Sequence, residues 1–114
     1  MSLATLLNTP DFGNLPSVFE WSFSNQAQHL AIVNQAFAKY GQQLTLYPLD
    51  PFPVGNVTGW LTIHQQAHND MASVLNIENF DLSSVDFRNK DQLDAWLRLH
   101  FDMHQQAAQI LGLN

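Results

Sequence analysis

The chain contains no cysteine, which excludes disulfides, thiolate metal sites and a cysteine nucleophile. Basic side chains number only four, Lys39, Arg88, Lys90 and Arg98, against ten acids, for a formal charge of -6. Without a basic cluster there is nothing to hold a phosphate backbone, so nucleic acid is not an expected partner. No apolar run approaches the ~18 residues of a membrane span, and a membrane is not expected either. The opening Met1-Ser2-Leu3-Ala4-Thr5 lacks a basic n-region, so export by a signal peptide is not expected. The five glycines are scattered, no serine stands in a Gly-x-Ser-x-Gly elbow, and the acids favour no catalytic pair. No catalytic residue is assigned.

What remains is a chain of 114 residues, one domain in size, with 46% apolar residues to build a core. Charge is scarce, at 12% of residues, and 21 Asn and Gln supply most of the polar surface instead. Residues 1–16, with Pro10 and Pro16 close together, predict an N-terminal arm lying on its own bundle or on a neighbour; residues 17–114 form one helical domain. Ser17 and Glu20 fit a capping box, Phe23, Ala27, Leu30, Phe37 and Tyr40 recur at helical steps, and Gly41 supplies a left-handed stop. These signals predict a first helix over about 18–40. A second is predicted over 57–76 with Asn56 as its cap. The third runs over 90–111, capped by Asn89 with Gln92 at the box position and ended by Gly112. The fold class is therefore all-α, a three-helix bundle joined by two long irregular links. Leu44 and Leu46 allow a short extended piece in the first link, which Pro48, Pro51 and Pro53 then hold open. In the second, Leu82, Val85 and Phe87 are placed to tuck against the bundle.

All three tryptophans stand in one repeated frame. Trp21 is followed at four-residue steps by Asn25 and His29, Trp60 by His64 and His68, and Trp96 by His100 and His104. Apolar residues follow three further on (Ile32, Met71, Ala107) and four beyond that (Ala36, Leu75, Leu111). Every histidine of the chain belongs to this frame. Steps of four advance about 400° around a helix, so each set stacks on one face. If the three faces meet, they give a tryptophan level, a level of Asn25, His64 and His100, and a level of His29, His68 and His104. That register requires parallel helices, which the long links permit; an up-down-up bundle would mix the levels.

Two readings of the stripe compete. In the first it is a polar-aromatic core or subunit interface, with Trp21, Trp60, Trp96 and Asn25 packing beside imidazoles that satisfy one another. In the second it is a metal site: His64, His68, His100 and His104 hold one transition-metal ion, zinc first, with His29 as a fifth donor. The stripe carries no Asp or Glu to act as a general base. His64-Gln65-Gln66-Ala67-His68 has glutamine where the metalloprotease helix needs glutamate. Asp70 and Asp102 lie about 200° from the stripe on their own helices.

Two resemblances add expectations. The stretch from Gly59-Trp60 through Asp81-Leu82-Ser83-Ser84-Val85-Asp86-Phe87 to His104 and Leu111-Gly112-Leu113 resembles, in texture, small virion-associated structural proteins of tailed bacteriophages. That implies a non-enzymatic assembly component of a virion, found there or in the host cytoplasm. It would form a homo-oligomer or bind other virion proteins through its arm and links. The pairs His64/His68 and His100/His104, with one histidine from another helix, are similar to the three-histidine set of DinB-like helical-bundle metalloproteins, which use four helices in a longer chain. This second resemblance implies a metal-dependent hydrolase or transferase.

Overall fold

The computed structural model describes residues 4–49, 52–53 and 55–113. Met1, Ser2, Leu3 and Pro51, named above, lie outside the described residues. A 3-10 turn at Ala4–Leu7 is followed by three helices, α1 (Leu15–Tyr40), α2 (Val57–Leu75) and α3 (Lys90–Leu111). There is no strand among the described residues, so the extended piece anticipated at Leu44 and Leu46 is irregular chain; Leu44 is buried and Leu46 exposed.

The helix boundaries follow the local chemistry, with one correction. α1 begins at Leu15, not near Ser17, and its cap is Asn14, whose side chain accepts from the Ser17 N–H. Pro16 does not block this start, because an N–H in the first turn has no intrahelical partner to lose. Ser17 instead accepts from the Asp11 N–H, tying the arm to the helix. Asn56 and Asn89 cap α2 and α3 as expected. Gln92 reaches past the cap and accepts from Asp86 N–H, so the box is displaced into the link. Gly41, Asn76 and Gly112 end the helices in the left-handed conformation, which glycine and asparagine tolerate best.

All three helices run parallel. Trp21, Trp60 and Trp96, each near the start of its helix, form a triangle with ring centroids 6.1, 5.9 and 6.2 Å apart. Phe12, Phe52 and Phe87, each just ahead of a helix, also meet one another, at 5.8, 4.9 and 5.6 Å. At the far end Lys39, in the last turn of α1, donates to the Ile110 carbonyl in the last turn of α3. Parallel neighbours need connections that return along the bundle, which accounts for links of this length.

Those returns cover the helix grooves. Leu49 and Leu82, both fully buried, sit in the two links, and their carbonyls accept the indole N–H of Trp60 at 2.8 Å and of Trp96 at 3.0 Å. Leu82 is tucked in as expected, with Val85 and Phe87 half-buried beside it. The arm lies on its own bundle: the 3-10 turn packs on α1 and α3, Leu6 is fully buried, and Thr9 donates to Asp94 of α3. The apolar series of α1 is a surface feature. Phe23, Ala27, Leu30, Phe37 and Tyr40 are exposed, while its inward face carries Val18, Trp21, Ser22, Asn25, Gln28, His29, Ile32 and Ala36.

Parallel topology is testable because the chain has no cysteine of its own. Asn34, Ser73 and Gln109 are all exposed and each lies 13 residues after the tryptophan of its helix. Spin labels on cysteines placed pairwise at these sites should give three similar distances, roughly 20–30 Å with helix axes 8–10 Å apart. Inverting α2 would add an axial offset of about 20 Å to both pairs that involve Ser73.

Candidate metal centre

The interior is a ladder of threes. Below the tryptophan triangle, His64 and His100 face each other with ring centroids 4.8 Å apart. The place of a third imidazole at this height belongs to Asn25, one turn below Trp21 on the same face of α1. One level further in, His29, His68 and His104 form a second triangle, at 5.0, 4.7 and 5.1 Å. Ile32, Met71 and Ala107, then Ala36, Leu75 and Leu111, close the ladder with buried apolar layers. Every position of the repeated frame therefore points inward.

Two devices orient the rings. In α2 the His64 imidazole stacks on Trp60, 4.5 Å away and tilted by 13°, and in α3 His100 stacks on Trp96 at 5.2 Å and 6°. Each indole is held in turn by its hydrogen bond to a link carbonyl, so the links set the ring planes. The second device is a hydrogen bond: His104 Nδ1 lies 3.0 Å from Gln28 Oε1. An amide oxygen only accepts, so this contact places the proton on Nδ1 and turns the Nε2 lone pair inward. Comparable acceptors for His64, His68 and His100 are absent among the described residues.

The five imidazoles converge tightly, one ring nitrogen from each lying within 4.8 Å of all the others. His64 Nε2 and His68 Nε2 are 3.1 Å apart, and His29 Nε2 and His104 Nε2 are 3.2 Å apart. Two nitrogens bound at 2.0–2.1 Å to a common tetrahedral or octahedral ion are roughly 2.9–3.4 Å apart. The spacing within each pair therefore suits shared ligation as well as an N–H···N hydrogen bond. Both nitrogens of His100 and the Nδ1 atoms of His64 and His68 have no hydrogen-bond partner among the described residues. A buried unsatisfied group costs on the order of 1–3 kcal/mol. Five buried histidines this close can hold a metal ion.

Burial keeps the cluster neutral. Removal from water lowers the His29 pKa to about 3. The other four are held well below the ordinary value, first by burial and then by repulsion from neighbouring imidazoles. Among the described residues no carboxylate joins the cluster. Asp70 accepts from the Tyr47 hydroxyl at 2.7 Å and from Gln66 at 2.8 Å, on the outer side of α2. A small cleft beside the cluster is lined by His29, Thr45, Tyr47 and Asp70.

The sequence frame contained all five donors and the tryptophans that stack on two of them. It did not contain Gln28, which orients His104, or the phenylalanine cap on the tryptophan triangle. The cap does have a signal. Asp11-Phe12-x-Asn14 and Asp86-Phe87-x-Asn89 repeat with the phenylalanine nine residues before the tryptophan, and Phe52 stands eight before Trp60. Comparison with protein-family models, curated proteins and solved structures finds no match.

The neutral cluster makes stability depend on acid. The folded-state values lie below the unfolded ~6.5, so below that pH the unfolded chain binds more protons. Stability is intact above about pH 6.5 and falls as pH drops below it, by up to about 1.4 kcal/mol per pH unit for each histidine. Five together are enough to unfold a domain of ordinary stability by about pH 5. A melting temperature that stays level from pH 7 to pH 5 would contradict this burial.

Proposed function

We propose that the protein binds one transition-metal ion, zinc first, inside a parallel three-helix bundle, with His29, His64, His68, His100 and His104 as the donor set. The observation that carries the reading is the convergence of five neutral, buried imidazoles from three helices, with one ring nitrogen from each within 4.8 Å of all the others. Nitrogen-only donors suit zinc, copper, nickel and iron, whereas calcium and magnesium take oxygen. The geometry supports a structural or carrier role: apolar layers seal the ladder at both ends, and among the described residues no carboxylate belongs to the cluster, Asp70 in the cleft beside His29 being engaged by Tyr47 and Gln66. The resemblance to DinB-like metalloproteins agrees with histidine ligation; its hydrolase or transferase chemistry has no matching base here.

Elemental analysis of protein purified without a His-tag or chelator tests this directly, with about one ion per chain as the expected result. A saturating ion at a hundred times its dissociation constant adds about 2.7 kcal/mol to stability. A chelator should therefore lower the melting temperature by several degrees. His68→Ala and His104→Ala should each abolish stoichiometric uptake.

A second reading, assembly through the outer face of α1, is favoured by its exposed apolar stripe. Phe23, Leu30 and Phe37 recur every seven residues on the outside of a 26-residue helix. That is the spacing of a helix-on-helix seam, and the occupant it fits is α1 of a second copy of this chain. The arm and links, expected as contact surfaces of a virion component, bury Leu6, Leu49 and Leu82 against their own bundle, while the α1 stripe has no partner among the described residues of its own chain to cover it. Sedimentation should show a homo-oligomer that Leu30→Glu with Phe37→Glu converts to monomer at unchanged helical content.

A further inference from the structure

The ladder has one irregular corner. At the level of His64 and His100 the third helix presents Asn25, which is fully buried, and neither atom of its amide has a partner among the described residues. Its surroundings follow from its neighbours on α1. The His100 ring lies 5.5 Å from Trp21 and 6.4 Å from His29, the residues one turn before and after Asn25 on the same face. His64 lies 5.3 Å from His29. Asn25 thus stands at the level of the upper pair of imidazoles, with a side chain shorter than theirs. Trp21 Nε1, one turn away, also has no acceptor among the described residues, although Trp60 and Trp96 each donate to a link carbonyl. Two buried N–H donor groups without acceptors among those residues thus stand one turn apart on α1.

Charge supplies a second argument. A divalent ion on five neutral imidazoles would keep its full charge in a closed interior, since no acid among the described residues belongs to the cluster. Burying such a charge uncompensated is strongly unfavourable. Resting on the metal-binding reading above, we infer that the corner at Asn25 is an exchangeable ligand position that takes a small monovalent anion. The anion binds the ion on one side and accepts hydrogen bonds from the Asn25 amide and the Trp21 indole on the other. It lowers the net charge of the site and satisfies the donors that the protein leaves open.

Azide is a suitable probe, added to protein loaded with cobalt(II), whose visible spectrum reports its ligands. Wild-type protein should take up one cobalt(II) and then show a saturable spectral change with one azide. Asn25→Leu removes the amide but no imidazole, and is expected to weaken azide binding at least tenfold in cobalt-loaded protein. Trp21→Phe keeps an aromatic ring without the N–H and should weaken it several-fold, which serves if the first variant does not fold. Asn25→His fills the corner with a sixth imidazole and should abolish the azide response. Cobalt uptake with a spectrum indifferent to azide, or with equal azide affinity in wild type, Asn25→Leu and Trp21→Phe, overturns the inference and leaves the metal reading standing. Failure to take up cobalt, zinc, nickel or copper overturns both.

Discussion

Three indoles meeting at one height along the bundle, with His29, His68 and His104 meeting at the next, require all three helices to point the same way, and most of the structure follows from that. A short turn joins antiparallel helices, but parallel ones must be joined by a chain that travels back the length of its predecessor. The protein uses these returns structurally. Leu49 and Leu82 fill the grooves from the links, and their carbonyls fix the indoles of Trp60 and Trp96. The indoles fix the planes of His64 and His100 by stacking. Connection, aromatic layer and imidazole layer are thus consecutive steps of one arrangement. The arm takes the equivalent place beside α1, with Leu6 buried as Leu49 and Leu82 are, but Trp21 gains no such hydrogen bond.

How much of this was legible in the sequence depended on the kind of signal. Steps of four from a tryptophan place side chains on one helical face whatever surrounds the helix, so the levels of the ladder could be read before any tertiary information. The same logic does not tell inside from outside. On α1 the apolar series Phe23, Leu30 and Phe37 has a good helical period yet faces outward, while the inward face carries Ser22, Asn25, Gln28 and His29. Hydrophobicity alone orients that helix backwards. It is oriented by its partners, since His29 belongs with His68 and His104, and Trp21 with the other two indoles. Direction was open for a similar reason: link length permits a parallel bundle without requiring one. The contact from Gln28 to His104 spans 76 residues, and no local pattern announces it.

A polar core of this kind is specific and vulnerable at once. Apolar layers would pack as tightly at many rotations of the helices, whereas imidazole and indole donors meet acceptors only in one register. The same burial that makes the histidines poor bases leaves their lone pairs free of protons at neutral pH, which a metal ligand requires. Neutrality, convergence and the unsatisfied nitrogens of His64, His68 and His100 therefore have one origin in the exclusion of water. The nearby glutamines are committed elsewhere: Gln65 serves Asn69 and the second link, and Gln66 serves Asp70.

The threefold pattern also gives the exception its meaning. Each helix contributes a tryptophan, a histidine one level further in than Asn25, and two apolar residues at matching positions, so the bundle behaves as three similar link-and-helix units around one axis. Six imidazoles in two stacked triangles would surround an ion completely and leave no room for another ligand. With asparagine at one corner the two triangles present five imidazoles and one amide. Asn25 lies between Trp21 and His29, both of which keep the repeat, and it is as deeply buried as His64 and His100. The departure therefore changes the donor set at that level without moving the helix that carries it, which separates what the bundle needs to stand from what its interior is built to hold.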